Sequence, residues 1–314
     1  MILRSIATWL CGLVLLLLLP GCRPLLTVDD AVAMDGDPVR LTAYVEREHL
    51  LGLRSDLKKV PVTFYAGHKQ LGRKSTGEHG RAVLAARLPP GQSEFEARAM
   101  VGPLPLKDTG RVFHWNKARV IIAVDIDYTI SKTEYRKLVL LEAVKVSSPV
   151  KDSREVLQAL AKNYYIVYLT ARPRFLLDKT HKWLEAYDFP AGPVVAAPRL
   201  RDAIWSLEYK KRTLEMLKEE WPALLIGIGN RKADIEAYAV NSMLPIMVCT
   251  DDDGDDEYKP VAGAVVAQDW RGVRRFFEAN GAILADPRGI RNVVKGEQLL
   301  QQPLNSWHKV SGDD

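Results

Sequence analysis

The spacing of apolar residues changes character near residue 116. Before it, from about Val28 to Trp115, no helical period of useful length occurs. Val39, Leu41, Ala43 and Val45 alternate with Arg40, Thr42, Tyr44 and Glu46; Val60, Val62 and Phe64 repeat the pattern, as do Phe95, Ala97 and Ala99. A period of two puts apolar side chains on one face of a sheet. Turn formers separate the runs at Asp35-Gly36-Asp37-Pro38, Ala66-Gly67, Thr76-Gly77 and Pro89-Pro90-Gly91. Short strands so spaced predict an all-β sandwich over residues 31–116, preceded by a linker at 22–30. Val101 to Pro105 reads as the last strand or its exit.

Beyond residue 116, continuous apolar runs alternate with helical ones. Val120 to Val124, Tyr164 to Leu169, Gly192 to Pro198, Ala223 to Ile228 and Leu244 to Cys249 read as strands. A run that is apolar throughout suits a strand covered on both faces. Ser153 to Asn163, the segment carrying Leu176, Leu177, His181, Leu184 and Tyr187 on one face, Asp202 to Glu220, Ile235 to Val240 and Arg271 to Asn280 read as helices. This alternation predicts an α/β domain with a parallel sheet and right-handed crossovers over residues 117–285. Residues 286–314 are left as a C-terminal tail.

The amino terminus changes the picture of where the chain works. Arg4 precedes an apolar stretch from Ile6 to Leu19, shorter than the roughly 20 residues of a spanning helix. A charged start, a short apolar core and a small residue before the cut describe a secretory signal, assigned to residues 1–21. Leu19-Pro20-Gly21-Cys22 resembles the lipobox of bacterial lipoproteins, which implies lipidation at Cys22 and attachment to a cell-envelope membrane. An uncleaved anchor or an ordinary signal peptide is the alternative. Cys11 falls inside the signal, so Cys249 alone remains in the body and no intramolecular disulfide is available there; Cys249 reads as a buried strand residue.

Composition adds less. The 314 residues suggest two domains, and the 47% hydrophobic and 26% charged fractions are those of a globular protein. A net charge of +5 suits an anionic substrate or membrane surface. No Lys/Arg block interleaved with aromatics occurs, which argues against nucleic acid. The layout of the first domain resembles the immunoglobulin-like modules of bacterial surface proteins, without their Cys…Trp…Cys signature. His49, His68 and His79 lack partners at metal-ligand spacing, and a spacer or adhesion module is expected.

The chemistry lies at the strand ends of the second domain. Asp125 and Asp127 follow the first strand, Thr170 the second, and Asn230 and Asp234 the fourth. They converge on one sheet edge, where ligands sit in open α/β sheets. Two crowded carboxylates need a cation or a proton to offset their repulsion.

Asp125-Ile126-Asp127-Tyr128-Thr129, Thr170, a helical lysine and Asp234 resemble the four motifs of the haloacid dehalogenase (HAD) superfamily of phosphatases and phosphotransferases. Tyr168-Leu169-Thr170-Ala171-Arg172, Gly192-Pro193, Tyr209-Lys210 and Gly229-Asn230-Arg231 further resemble the lipin-type phosphatidate phosphatases, which have Gly where this chain has Tyr128. The resemblance implies a Rossmann-like HAD sheet and a Mg²⁺-dependent phosphatase. Asp125 would be the nucleophile, forming an aspartyl-phosphate, and Asp127 the acid and base. Asp125, the Asp127 carbonyl and Asp234 would hold Mg²⁺, with Asn230 orienting Asp234 or a metal-bound water. Thr170 and Lys210 would bind the phosphoryl oxygens, with Lys211 as the alternative lysine. Arg172 would reach an anionic head group or be a helix-start surface charge, and Tyr128 would control substrate access. Neither gap between motifs fits a full cap domain, which implies an open site suited to a phosphorylated lipid or another bulky phosphoester. A phosphatase of soluble phosphoesters, or a surface module that recognises phosphate without turnover, are the alternatives. The acidic run Asp251 to Glu257 lacks EF-hand spacing and reads as a solvated loop.

Overall fold

The structure, a computed structural model, describes residues 23–49, 54–89, 91–133, 147–199, 202, 205–249 and 263–300. The signal segment with Cys11 and Cys22, and the acidic run 251–257, lie outside these residues. The chain divides into two units, Met1–His114 and Trp115–Asp314.

The first unit is built of antiparallel strands. β1 (Arg23–Val28), β3 (Val39–Glu48), β4 (Arg54–Asp56) and β7 (Arg81–Ala86) form one sheet. β2 (Ala31–Met34), β9 (Leu104–Trp115), β8 (Glu94–Val101), β5 (Pro61–Ala66) and β6 (Lys69–Ser75) form the other, in that order. Leu41, Val45 and Leu84 from the first sheet pack with Phe64, Phe95, Ala97 and Val112 from the second in one apolar core. A β-sandwich is therefore present. Residues 22–30, expected as a linker, instead contain β1, whose Leu26 and Val28 are buried and which pairs with β3 along its length. Val101 to Pro105 is not the final strand but a hairpin turn through Gly102 at φ 58°, leading into the twelve-residue β9. β3 departs from simple alternation. Thr42, Tyr44 and Glu46 are buried too, and Tyr44 and Glu46 are satisfied by Asp29 and Arg54.

The second unit is a six-stranded parallel sheet: β10 (Ile121–Val124), β13 (Tyr165–Pro173), β14 (Val194–Ala197), β15 (Leu224–Gly229), β16 (Leu244–Val248) and β17 (Val265–Ala267), in the spatial order β14-β13-β10-β15-β16-β17. A small antiparallel pair, β11 (Ser131–Thr133) with β12 (Ser147–Pro149), follows β10. Among the described residues the α-helices are α1 (Ser153–Leu160), α2 (Leu177–Ala186), α3 (Ser206–Glu220), α4 (Lys232–Val240), α5 (Trp270–Leu284) and α6 (Pro287–Val294). Strand order reverses between β10 and β15. The crevice at that switch point, beyond the carboxyl ends, is where such sheets bind ligands.

Side-chain parity assigns the two faces. Ile122, Val124, Ile226 and Ile228 share a core with Val156 and Leu157 of α1, Trp183 of α2, Phe276 of α5 and Ile290 of α6. Gly227, of opposite parity, faces α4: a Cβ there would lie 2.2 Å from the Tyr238 ring. Gly227→Ala is expected to cost about 1–3 kcal/mol by forcing that helix outward. Denaturant unfolding measures it, and an unchanged midpoint would mean that α4 is not so closely seated. Two boundaries differ from expectation. β13 continues through Thr170 to Pro173, outrunning β10, which it pairs only from Tyr165 to Tyr168. The expected tail at 286–314 begins with α6, capped by Asp286, started by Pro287 and anchored by the fully buried Ile290. Residues 301–314 lie outside the described residues. Cys249 sits one residue past β16, half-buried, its backbone N–H donating to Ala267 at 2.9 Å. No described helix is long and apolar enough to cross a membrane.

Candidate active site

The reversal of strand order brings the ends of β10 and β15 side by side. The Asp125 N–H donates to the Ile228 carbonyl at 2.9 Å, so pairing continues one residue past β10. The chain then turns tightly, with the N–H groups of Ile130 and Ser131 both donating to the Ile126 carbonyl at 3.0 Å. Trp270, fully buried at the start of α5, donates its indole N–H to the Thr129 carbonyl at 2.9 Å and holds the far side of the turn. Opposite, β15 ends in Gly229. A Cβ at Gly229 would stand 2.6 Å from Asp234 Cβ, so the missing side chain is what lets Asp234, in the first turn of α4, reach the strand end.

Lys210 unites the two sides. It projects from α3, only 4% exposed, and donates to Asp125 Oδ1 at 2.5 Å and to Asp234 Oδ1. Of the two lysines considered from the sequence, Lys210 is thus in the site; Lys211 pairs with Glu208 at the surface. Thr129 Oγ1 lies 2.8 Å from Asp125 Oδ2 and 2.9 Å from Asn230 Oδ1, and its single hydroxyl proton serves one acceptor at a time. Asn230 thus meets Thr129, the hydroxyl beside Asp125. The Arg231 N–H holds Asp234 Oδ2 at 3.2 Å.

Asp127 has its own surroundings. Arg172 donates Nε to Oδ1 at 3.0 Å and Nη2 to Oδ1 at 2.9 Å, and Nε also lies 3.1 Å from Oδ2. Thr170 Oγ1 donates to Oδ2 at 3.1 Å, and Arg172 Nη1 is steadied by Thr180 Oγ1 of α2 at 3.2 Å. The Arg172 side chain is 1% exposed, against 25% for Asp127. Arg172 is therefore neither a surface charge nor aimed at a distant head group; the extension of β13 carries it back onto Asp127. Thr170, expected on phosphoryl oxygens, also meets Asp127 here. Bidentate geometry is what a lysine cannot reproduce. Arg172→Lys is expected to lower kcat about 10²-fold through misplacement of Asp127, measured by steady-state kinetics beside an unfolding control. Full activity would remove Arg172 from the account.

Electrostatics at the site are unbalanced. Asp125, Asp127 and Asp234 face two cations, Lys210 and Arg172. Burial pushes the Asp125 carboxyl up to about 7, with Asp234 and Asp127 adding to the rise against the lowering by Lys210. Burial alone would lower Lys210, but Asp125 and Asp234 outweigh it and hold the ammonium above the ordinary lysine range. A carboxyl that is half protonated near neutrality is a poor nucleophile. Among the described residues, ionising all three carboxylates would leave one negative charge in excess, and the hard oxygens of Asp125, Asp234 and the Asp127 carbonyl suit a small divalent cation, which would favour the ionised form of Asp125. No preassembled group of three or more His, Cys, Asp or Glu occurs among the described residues. His49, His68 and His79 lie in the first unit, away from any such group.

Tyr128 occupies the turn with φ 61°, the left-handed region. A non-glycine residue there costs roughly 1–2 kcal/mol. Its N–H donates to the Ser131 carbonyl at 2.8 Å, and its ring meets the Arg231 guanidinium at 5.3 Å. Sequence reasoning gave no role to Thr129, Thr180, Arg231 or Trp270. The first sits four residues from Asp125 in the motif and could have been found there; the others are joined to the site only by the fold.

Comparison with known proteins bears on this segment. Residues 121–246 match the family model described as PITM 1-3, LNS2 domain. That span contains Asp125, Asp127, Thr170, Arg172, Lys210, Asn230 and Asp234. No curated protein matches the chain. Among solved structures it is similar to an L-2-haloacid dehalogenase (13% identity, 42% of this chain and 57% of that one, TM-score 0.34). It is also similar to a haloacid dehalogenase-like family hydrolase from Xanthomonas campestris (15%, 54% and 98%, TM-score 0.37). The M1 domain from titin is a third similar structure (16%, 30% and 94%, TM-score 0.22). The chain thus spans 57%, little over half, of the dehalogenase's length.

Proposed function

We propose that the second unit is a Mg²⁺-dependent phosphatase acting on phosphomonoesters with bulky or lipid-linked leaving groups. The observation that carries this reading is the division of the carboxylates. Lys210 joins Asp125 to Asp234 in a buried cluster, while Arg172 and Thr170 hold Asp127 separately at the half-open edge. One carboxylate is thereby set up to attack and the other to move protons.

In the first step an Asp125 oxygen bonds to phosphorus and the ester P–O bond breaks. The departing oxygen takes the proton of Asp127, giving an alcohol and an aspartyl-phosphate. In the second step Asp127 takes a proton from water, whose oxygen bonds to phosphorus; the bond to Asp125 breaks and inorganic phosphate leaves. Lys210 offsets charge on the transferred group, and Thr170 can turn its hydroxyl toward it. Asp125, Asp234 and the Asp127 carbonyl would hold Mg²⁺, which supplies charge neutralisation at the phosphoryl oxygens.

The leaving group is argued from the LNS2 match and from the gap between Thr170 and Lys210. Among described residues that gap holds the end of β13, a 3-10 turn at Arg174–Leu176, α2, β14 and the start of α3, with no cap domain. Of the first gap, from Thr129 to Thr170, residues 134–146 lie outside the described residues. With a lipidated Cys22, the sandwich would act as an immunoglobulin-like spacer holding the enzyme at a cell-envelope membrane. Mass spectrometry of the mature amino terminus tests that part; anything other than acylated Cys22 overturns it.

The enzyme reading is tested by phosphate release from an aryl phosphate, from phosphatidate in mixed micelles and from soluble phosphoesters, with Mg²⁺ or chelator. Release only with Mg²⁺ is expected, and no release from any substrate would leave a phosphate-recognising module. Independently of activity, Mg²⁺ at a hundred times its dissociation constant should stabilise the fold by about 2.7 kcal/mol. An unshifted melting temperature would count against the metal site.

A further inference from the structure

We infer that the β8–β9 hairpin tip, Met100 to Leu106, inserts into the interface of a lipid bilayer bearing anionic headgroups. The tip belongs to the first unit, so this holds whatever reaction the second unit performs.

Turns are ordinarily polar, because their side chains meet water. Here the eight residues Ala99 to Leu106 read AMVGPLPL and carry no polar side chain. Met100 is 55% exposed and Leu104 49%, with Gly102, Pro103 and Pro105 exposed beside them. Val101 and Leu106 pack inward on the sandwich core. Single exposed apolar residues need no explanation, whereas a contiguous apolar surface marks an interaction site. The backbone suits an apolar environment as well. Pro103 and Pro105 have no N–H to leave unsatisfied. The strands stay paired up to the turn, Met100 with Pro105 and Val101 with Leu104.

The surroundings favour a bilayer over a protein partner. Register fixes which residues share this end of the sandwich. Val62 stands opposite Ala99 on one side and Lys74 on the other, so Pro61 lies level with Met100. Lys58 and Lys59 lead into β5 here, Lys74 lies on β6 beside them, and Lys107 follows Leu104 by three residues. All four lysines are exposed, and among the described residues none of their side chains has a hydrogen bond or ion pair. Arg98, opposite Lys107, is instead paired with Glu96. An apolar tip within a collar of unpaired lysines matches the two layers of an anionic bilayer surface, acyl chains beneath and phosphates above.

The chain also enters the sandwich at this end. The Val28 N–H donates to Asp108 Oδ2 at 2.9 Å, and Arg111 pairs with Asp30 at 2.9 Å. Val28 to Asp30 therefore runs in the same direction as Asp108 to Arg111. Traced back, Arg23 on β1 and Leu104 on β9 reach the same end. Cys22 directly precedes Arg23, so a lipid on Cys22 would bring the tip to the bilayer.

The test oxidises the full chain with hydrogen peroxide, which converts accessible methionine to its sulfoxide. It is run in buffer, on phosphatidylcholine vesicles and on vesicles containing about one-quarter phosphatidylglycerol. Chain recovered with floated vesicles is read by peptide mass spectrometry, with Met216, 50% exposed in the second unit, as the internal reference. On anionic vesicles Met100 should oxidise about fivefold or more slowly than in buffer, with Met216 unchanged. Neutral vesicles should protect it less. Leu104→Glu should abolish the protection. Lys74→Glu combined with Lys107→Glu, at exposed positions away from the core, should weaken it and decides the matter if Leu104→Glu folds poorly. No chain on floated anionic vesicles, or Met100 oxidised there as fast as in buffer, overturns the inference. So does equal slowing of Met216, or protection that survives these variants. Protection in buffer that grows with protein concentration would mark a contact between copies of the chain and overturns it too.

Discussion

Asp125→Asn is expected to lower turnover by about 10⁴-fold or more while leaving a folded protein. Losses of this size follow removal of a group that forms the covalent intermediate. The amide is isosteric and uncharged, so it relieves the crowding of Asp125 with Asp234 and Asp127 and leaves Lys210 paired with Asp234. Stability should therefore hold or rise. The effect depends on pH in a stated direction. An unfolded aspartate titrates near about 3.9, whereas burial lifts Asp125 to about 7 in the folded protein. Between those values the folded state binds the extra proton. The metal-free wild type thus loses stability from this group as pH rises from about 4 to about 7. The Asn variant lacks that slope. Melting temperatures across the window, with and without the substitution, measure it; parallel curves would mean that Asp125 is not held as described.

Lys210→Met carries the second large effect, on stability as well as rate. The side chain is similar in length but removes the buried ammonium between Asp125 and Asp234. Breaking a buried pair from one side costs about 3–5 kcal/mol, because the remaining charges stay buried without compensation. Here two carboxylates are left, so part of the loss should be recovered by lowering pH, which protonates them, and part by adding Mg²⁺. Turnover should fall below the reach of ordinary assays, since the phosphoryl group then meets a site of net negative charge. Denaturant unfolding at two pH values, each with and without Mg²⁺, separates these effects. A variant as stable as the wild type under every condition would contradict the role given to Lys210.

Much of this site was legible because the motif residues lie at strand ends. Asp125, Asp127, Thr170 and Asp234 each follow or finish an apolar run, and the alternation of strands and helices brings those ends to one edge. Lys210 was separable from Lys211 only weakly by pattern; one step along a helix turns a side chain by about 100°, and the fold decides which of the two is buried. Arg172 was misread for a related reason. The apolar run stops at Leu169, but the strand continues to Pro173 beyond the edge of β10, which returns the guanidinium to Asp127. β9 was hidden because Lys107, Asp108, Thr109 and Gly110 interrupt its apolar alternation. α6 was visible in principle, through Asp286 and Pro287, but is too short to show a period. Trp270 lies 141 residues from Thr129, and a contact of that separation has no local signal.

The central claim is that Asp125 itself carries the phosphoryl group. During turnover of an aryl phosphate with Mg²⁺, the reaction can be quenched in acid and treated with tritiated borohydride, which reduces an acyl phosphate to an alcohol. Tritium is predicted in homoserine at position 125, in proportion to the intermediate present at the quench. Turnover with no label at position 125, or with label at another carboxylate such as Asp127 or Asp234, would contradict the account.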